Sequence, residues 1–283
     1  MIVTITHLVN FMFIVNLHYI LVNTIEITFI HFLSILSVLK NHKPDVVYIH
    51  CNCRQLTGQY WQRVLRVSDI TKIPIQLKER EIPKTIFGQS FNPEYYNWHA
   101  GDVTRVRVLI EYGGIYLDRD VYVVNNLDTY RNNEMTLDFE NPIDFMGSQT
   151  LIARKNATFM RLWLDSYRNY RRNCWTCNSA TIPTQLIVKR PDLVNRTVQG
   201  AFGCNVYVVC PLVFRRYDSN WRQKFQTVHL WIRGNSYTNG LVCLRKKSQF
   251  NHFIDEKYIY AMKQTFGEMG RDLLDFEKQI IKY

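Results

Sequence analysis

Two carboxylates one residue apart, Asp118 and Asp120, follow directly on the apolar run Ile115-Tyr116-Leu117. If the strand keeps its period of two, both side chains leave the same side of the backbone and Arg119 leaves the other. Such a pair is a hard oxygen donor set suited to Mg²⁺ or Mn²⁺, with most of the coordination sphere left to water and diphosphate oxygens. Upstream, Asp102 and Arg105 lie three residues apart and share one face near the start of a helix. Arg105 is suited to grip an anionic or hydroxyl-rich ligand, and Asp102 to accept hydrogen bonds from hydroxyls.

These residues need elements to hold them. From Asp102 to Tyr112 the apolar residues Val103, Val106 and Ile110 recur at helical spacing. Gly113 and Gly114 follow, where a left-handed helix end favours glycine, and Ile115 to Leu117 reads as a strand buried on both faces. A strand over 15–22, a short run at Ile25, Ile27 and Phe29, a helix with Phe32, Ile35, Leu36 and Leu39 on one face, and a strand at Val46–Ile49 precede it. That strand–helix–strand order opens a doubly wound α/β sheet. Further along, the sequence predicts a short helix over 61–67, a strand over 72–78, and a loop from Pro83 to Pro93. After the acidic pair it predicts a polar loop over 125–135, a strand within 145–153, a helix over 158–170 and helical stretches from 251 onward. Tyr95, Tyr96 and Trp98 offer an aromatic wall for a uracil or a sugar.

Ala100-Gly-Asp-Val-Thr-Arg105 followed by Tyr112-Gly-Gly-Ile-Tyr-Leu-Asp-Arg-Asp-Val121 resembles the DxD segment of retaining, sugar-nucleotide-dependent glycosyltransferases. That group includes α-1,4-galactosyl- and α-1,4-N-acetylglucosaminyltransferases and the glucosylating bacterial toxins. The resemblance implies a GT-A fold, a Rossmann-like, mostly parallel sheet between helices, over the whole chain as one domain. Its nucleotide-sugar half would span about 12–130, its acceptor half about 131–245, and C-terminal helices about 250–283. It implies that Asp118 and Asp120 hold a metal and the UDP-sugar, while Asp102 and Arg105 touch ribose or the transferred sugar. Many relatives carry Ser where Gly101 stands, which leaves the acidic and basic positions intact. Similar enzymes have a His-x-Trp segment after the last core strand, matched by His229-Leu-Trp231, whose His contacts metal or diphosphate. An imidazole beside two carboxylates suits Mn²⁺ better than Mg²⁺. A weaker likeness, an Asn-Ser segment before a proline, makes Asn178 an acceptor-side candidate.

The activity implied is metal-dependent transfer of a hexose or N-acetylhexosamine from a UDP-sugar to a hydroxyl of a glycan, glycolipid or protein, with retention. The alternative is a catalytically inactive GT-A protein that binds sugars or glycans. A nucleotidyltransferase would need further acidic ligands and a phosphate-binding loop, and the sequence has neither. The net charge of +11 raises a nucleic-acid partner, but the positive residues are scattered apart from Arg168, Arg171 and Arg172, and no binding motif accompanies them. Hydrophobic content of 47% and aromatic content of 14% are those of a globular chain.

The first 39 residues contain no Lys or Arg, yet Asn10, Asn16 and His18 interrupt the apolar stretch. It reads as a core strand rather than a membrane span. Members of the resembled group carry a type II anchor, so membrane association would come from outside this chain or its extreme N-terminus. Seven cysteines include the close pairs Cys51/Cys53 and Cys174/Cys177. These favour disulfides over a four-thiolate zinc site, whose spacing the first pair does not match. With sequons at Asn156 and Asn195, they point to the secretory pathway, and the resemblance to the Golgi lumen.

Overall fold

The computed structural model describes residues 14–139, 145–198, 200–203, 205–231 and 254–282. In chain order the elements begin with β1 (Asn16–Leu21), α1 (Phe29–Asn41), β2 (Val46–Cys51), α2 (Gln59–Thr71) and β3 (Ile75–Glu79). A small hairpin, β4 (Thr85–Ile86) with β5 (Gln89–Ser90), leads to α3 (Tyr96–Tyr112), β6 (Gly114–Leu117) and β7 (Val121–Val123). Next come β8 (Met135–Leu137), β9 (Thr150–Ala153), α4 (Thr158–Ser166), α5 (Ile182–Lys189) and β10 (Asn195–Arg196). The remaining elements are α6 (Val206–Val209), α7 (Trp221–Lys224), β11 (Thr227–His229), α8 (Glu256–Ala261) and α9 (Thr265–Ile281).

Seven strands form one sheet in the order β10-β8-β9-β6-β1-β2-β3. β1 pairs in parallel with both β2 and β6, and β2 with β3; β9 alone runs against its neighbours β6 and β8. The chain winds from β1 to β3 in one direction and then returns to the other side of β1 for β6. Between β1 and β6, therefore, lies the switch point where open α/β sheets bind ligands at the carboxyl ends of their strands.

The pleat divides the core. Leu17, Tyr19 and Leu21 of β1 join Val47 and Ile49 of β2 and the inner faces of α1, α2 and α9 in one cluster. Ile20 and Tyr116 face the opposite way, with Val103, Val106 and Leu109 of α3 and Phe159 and Trp163 of α4. The fold is thus a mostly parallel sheet between helical layers, the doubly wound arrangement expected.

Two glycines make the α3–β6 junction possible. Gly113 has φ 66° and Gly114 φ 103°. A Cβ at the first would lie 2.4 Å from Lys155 N, and at the second 2.3 Å from Asn16 O. Only glycine adopts these angles at that distance from neighbouring backbone.

The element boundaries differ from the sequence reading in instructive ways. Helix α3 starts at Tyr96, well before Asp102, because a 3-10 turn at Pro93–Tyr95, capped by Asn92, runs straight into it. The stretch 83–93 holds the β4–β5 hairpin, and the predicted helix over 158–170 ends its α-helical part at Ser166, finishing as a 3-10 turn at Tyr167–Asn169. No helix among the described residues is long and apolar enough to cross a membrane, and the extreme N-terminus lies outside those residues.

Beneath α3, His18 of β1 and His50 of β2 are fully buried. The Gly113 carbonyl, 2.9 Å from His18 Nε2, can only accept, so His18 carries its proton there. Its Nδ1 then accepts from His50 Nε2 at 3.1 Å. Burial first, then the neighbouring Arg80, keeps both rings neutral: His18 falls to about 4 and His50 to about 3.

Candidate active site

Asp118 and Asp120 converge, though not by strand alternation. Strand β6 ends at Leu117, and Asp118 to Val121 forms a turn closed by Val121 N donating to Asp118 O at 3.0 Å. The turn folds both carboxylates to one side, and β7 resumes at Val121. Arg119 leaves in the other direction, as expected, and donates to Thr24 Oγ1 at 3.1 Å across the β1–β6 switch point.

His229 reaches the acidic pair through β11. That strand pairs antiparallel with β7, setting His229 opposite Val121, while Leu230 N donates to Asp120 O at 2.9 Å. His229 Nε2 then stands 3.3 Å from Asp120 Oδ1. One ligand atom from each of Asp118, Asp120 and His229 lies within 4.8 Å of the others. Residues more than 100 apart in sequence are thus gathered into a two-carboxylate, one-imidazole donor set. That chemistry fits a divalent cation with open positions for phosphate oxygens. Behind His229, Trp231 lies against the imidazole with ring centroids 4.3 Å apart.

Arg105 and Asp102 sit just beneath. Arg105 Nη2 pairs with Asp102 Oδ1 at 2.8 Å, and its Nη1 lies 3.3 Å from Asp118 Oδ1 and donates to the Ser148 carbonyl at 2.8 Å. Tyr116 adds its hydroxyl to the same Asp118 oxygen. Burial opposes the guanidinium's charge, but Asp118, Tyr116 and Asp102 more than restore it. Burial also raises the Asp102 carboxyl above its usual range despite Arg105. Both residues lie in the neighbourhood the sequence reading assigns them, yet in this structure the guanidinium is engaged with protein. It braces Asp118 from below. Its Cζ also lies 4.7 Å from the Tyr116 ring.

Asn178 is placed differently. Its side chain is buried, with the amide oxygen accepting from Arg171 N and the amide nitrogen donating to Arg171 O, each at 3.0 Å. It lies within the π-helical segment at Cys177–Thr181 and ties that segment to the Arg171 backbone. Asp138 is also buried and accepts from Phe139 N and Phe202 N at 2.8 Å each.

Two close cysteine pairs are bridged, Cys51–Cys53 after β2 and Cys174–Cys177 before α5, so neither pair offers free thiolates to zinc. The sequence reading passed over a small pocket on the α1 side, lined by Tyr19, Leu21, Ile27, His31, Ile35 and Arg119. The alternation of β1 and the one-sided α1 pattern carried that signal, but only strand register shows that they meet beneath Arg119.

An acidic turn at the carboxyl end of a central parallel strand, joined by a distant histidine and set at the switch point, forms a candidate metal and phosphate site. Residues 33–137 match the model of the family described as "Glycosyltransferase sugar-binding region containing DXD motif", and the chain carries that region. Among curated proteins, the chain is 28% identical over 186 residues to glucan organizing enzyme 1 of Cryptococcus neoformans var. grubii, a match covering 62% of this chain and 48% of that protein. The chain therefore spans about half the length of this relative. Among solved structures it is similar to the PaToxG glycosyltransferase (20% identity, 63% of this chain and 70% of that one, TM-score 0.46). It is also similar to the glycosyltransferase GlyE of Streptococcus pneumoniae TIGR4 (12% identity, 94% and 64%, TM-score 0.48).

Proposed function

We propose that this protein is a glycosyltransferase that moves a hexose or N-acetylhexosamine from a UDP-sugar to a hydroxyl of a glycan, glycolipid or glycoprotein, with retention, and depends on Mn²⁺ or Mg²⁺. The gathering of Asp118, Asp120 and His229 within 4.8 Å carries this reading. A bound cation would neutralise the charge that grows on the diphosphate leaving group, a contribution of several kcal/mol.

The chain's own residues do the rest. Arg105 holds Asp118 at a fixed angle and lends positive charge under the site, at no cost of reorganisation during reaction. Asp102, paired with Arg105, faces the same region and can accept from sugar hydroxyls. A retaining transfer asks for no separate general base, since the leaving phosphate oxygen can take the acceptor proton. The name of the fungal relative points to a polysaccharide acceptor, and the two disulfides support work in an oxidising lumen such as the Golgi.

The test is a hydrolysis and transfer screen with UDP-Gal, UDP-Glc, UDP-GlcNAc and UDP-GalNAc, with and without Mn²⁺. Turnover of one donor, dependent on the cation and abolished in Asp118→Asn and in Asp120→Asn with an unchanged circular dichroism spectrum, is expected. Full turnover by either variant, or UDP binding indifferent to Mn²⁺, refutes the metal assignment.

A further inference from the structure

The first turns of α3 carry a feature that the chemistry above does not use. Trp98, in the first turns of α3, is 38% exposed, although it is the largest apolar side chain of that helix. Trp175 meets it edge-on, with centroids 6.3 Å apart and planes at 73°. The loop bearing Trp175 is held twice. The Cys174–Cys177 bridge brackets it, and the ring of His99, next to Trp98 on α3, donates from Nε2 to the Trp175 carbonyl at 3.3 Å. The two indoles thus form a rigid, part-exposed corner.

Exposed amides gather beside it. Asn97, the residue before Trp98, accepts from Asn23 Nδ2 at 2.9 Å, and Asn23 also accepts from Asn52 Nδ2 at 2.7 Å. Asn23 follows β1 and Asn52 follows β2, so this amide row stands at the carboxyl ends of the parallel strands. Thr24, next to Asn23, receives the hydrogen bond from Arg119 of the acidic turn. Asp102 lies one helical turn beyond Trp98, on the helix that also braces Asp118 through Arg105.

We propose that Trp98 and Trp175, with Asn97 and Asn23 on the rim, form an acceptor subsite that holds one pyranose ring of a glycan. This rests on the transferase reading, which requires an acceptor near the acidic turn. Indole faces pack against the C–H face of a pyranose, while amides satisfy its hydroxyls; a few convergent polar groups around aromatic surface are the usual make-up of such sites. A nucleobase is the competing occupant of the same indoles, and the UDP arm of the test below separates the two.

Calorimetry on the full chain tests this, using a panel of soluble hexasaccharides (β-1,3-gluco, β-1,4-gluco and chito-oligosaccharide) and, separately, UDP with Mn²⁺. At least one hexasaccharide is expected to bind, and Trp98→Ala to weaken it about tenfold, equivalent to about 1.4 kcal/mol, with UDP–Mn²⁺ affinity kept within about twofold. Trp98→Phe should recover part of the loss. The proposal is overturned if no hexasaccharide binds the wild type, if Trp98→Ala binds as tightly as wild type, or if that variant loses UDP affinity instead. Failure of UDP–Mn²⁺ binding in the wild type would instead strike the donor and metal reading, leaving hexasaccharide binding to be read on its own.

Discussion

Replacing Arg105 by Met should expose how much of the acidic turn depends on one buried guanidinium. In the folded chain Arg105 is paired with Asp102 at 2.8 Å and with Asp118 at 3.3 Å, its side chain 10% exposed and that of Asp102 7%. Met restores most of the volume but none of the charge. Breaking a buried ion pair from one side costs about 3 to 5 kcal/mol, because the remaining charge is left in a poor dielectric. The lower end applies here, about 3 kcal/mol, since Asp118 is 25% exposed and water can still reach it.

Asp102 can escape part of that penalty by taking a proton. Burial already raises its folded-state pKa, and removing Arg105 takes away the largest opposing influence. A carboxyl whose folded pKa lies above its unfolded value loses stability as pH rises through that interval. The deficit of Arg105→Met relative to wild type should therefore grow as pH rises above the ordinary carboxylate range. In a chain of 283 residues, about 3 kcal/mol corresponds to a fall in melting temperature of roughly 6 to 12 °C. Urea and thermal melts of both proteins at several pH values read the effect directly. Adding Asp102→Asn to Arg105→Met should recover part of the loss, since the uncompensated charge is then gone. A variant that melts within about 2 °C of wild type, or a deficit that grows as pH falls, refutes the bracing role.

Three other outcomes follow from the same coordinates. Acid should unfold the chain early: His18 and His50 are held neutral at about 4 and about 3 against an ordinary 6.5, so their contribution is intact above 6.5 and is lost as pH falls through the range below it. At pH 5 each costs about 2 kcal/mol, and urea midpoints that stay flat from pH 7 to pH 5 refute it. Thiol titration of denatured, unreduced protein from the secretory pathway should find no more than three reactive groups, those of Cys204, Cys210 and Cys243; seven would refute both bridges. Gly114→Ala places a Cβ 2.3 Å from Asn16 O at a φ of 103°, and should cost about 3 kcal/mol or more by forcing apart the β1–β6 pair that carries the acidic turn; unchanged stability in urea refutes the requirement.

The parts of this site that were legible in the sequence are those written in local chemistry. Gly113-Gly114 announce the helix end because no other residue fits φ of 66° and 103° there, and Asp118 and Asp120 announce ligands because they cluster at the end of an apolar run. The start of α3 was not legible: its true first turn, Tyr96 to His99, carries no side-chain cap, and a preceding 3-10 turn does that work. Nor could spacing reveal how the carboxylates converge. A pleated strand and a four-residue turn both bring residues i and i+2 to one side, and only the Val121-to-Asp118 hydrogen bond distinguishes them. Asn178, an acceptor-side candidate by resemblance alone, uses its amide in two bonds to the Arg171 backbone, a local role that no spacing in the sequence announces. His229 joins the acidic pair only because β11 pairs with β7, a contact about a hundred residues long in sequence. Residue types announced the ligands, but strand pairing across that distance decides which of them meet.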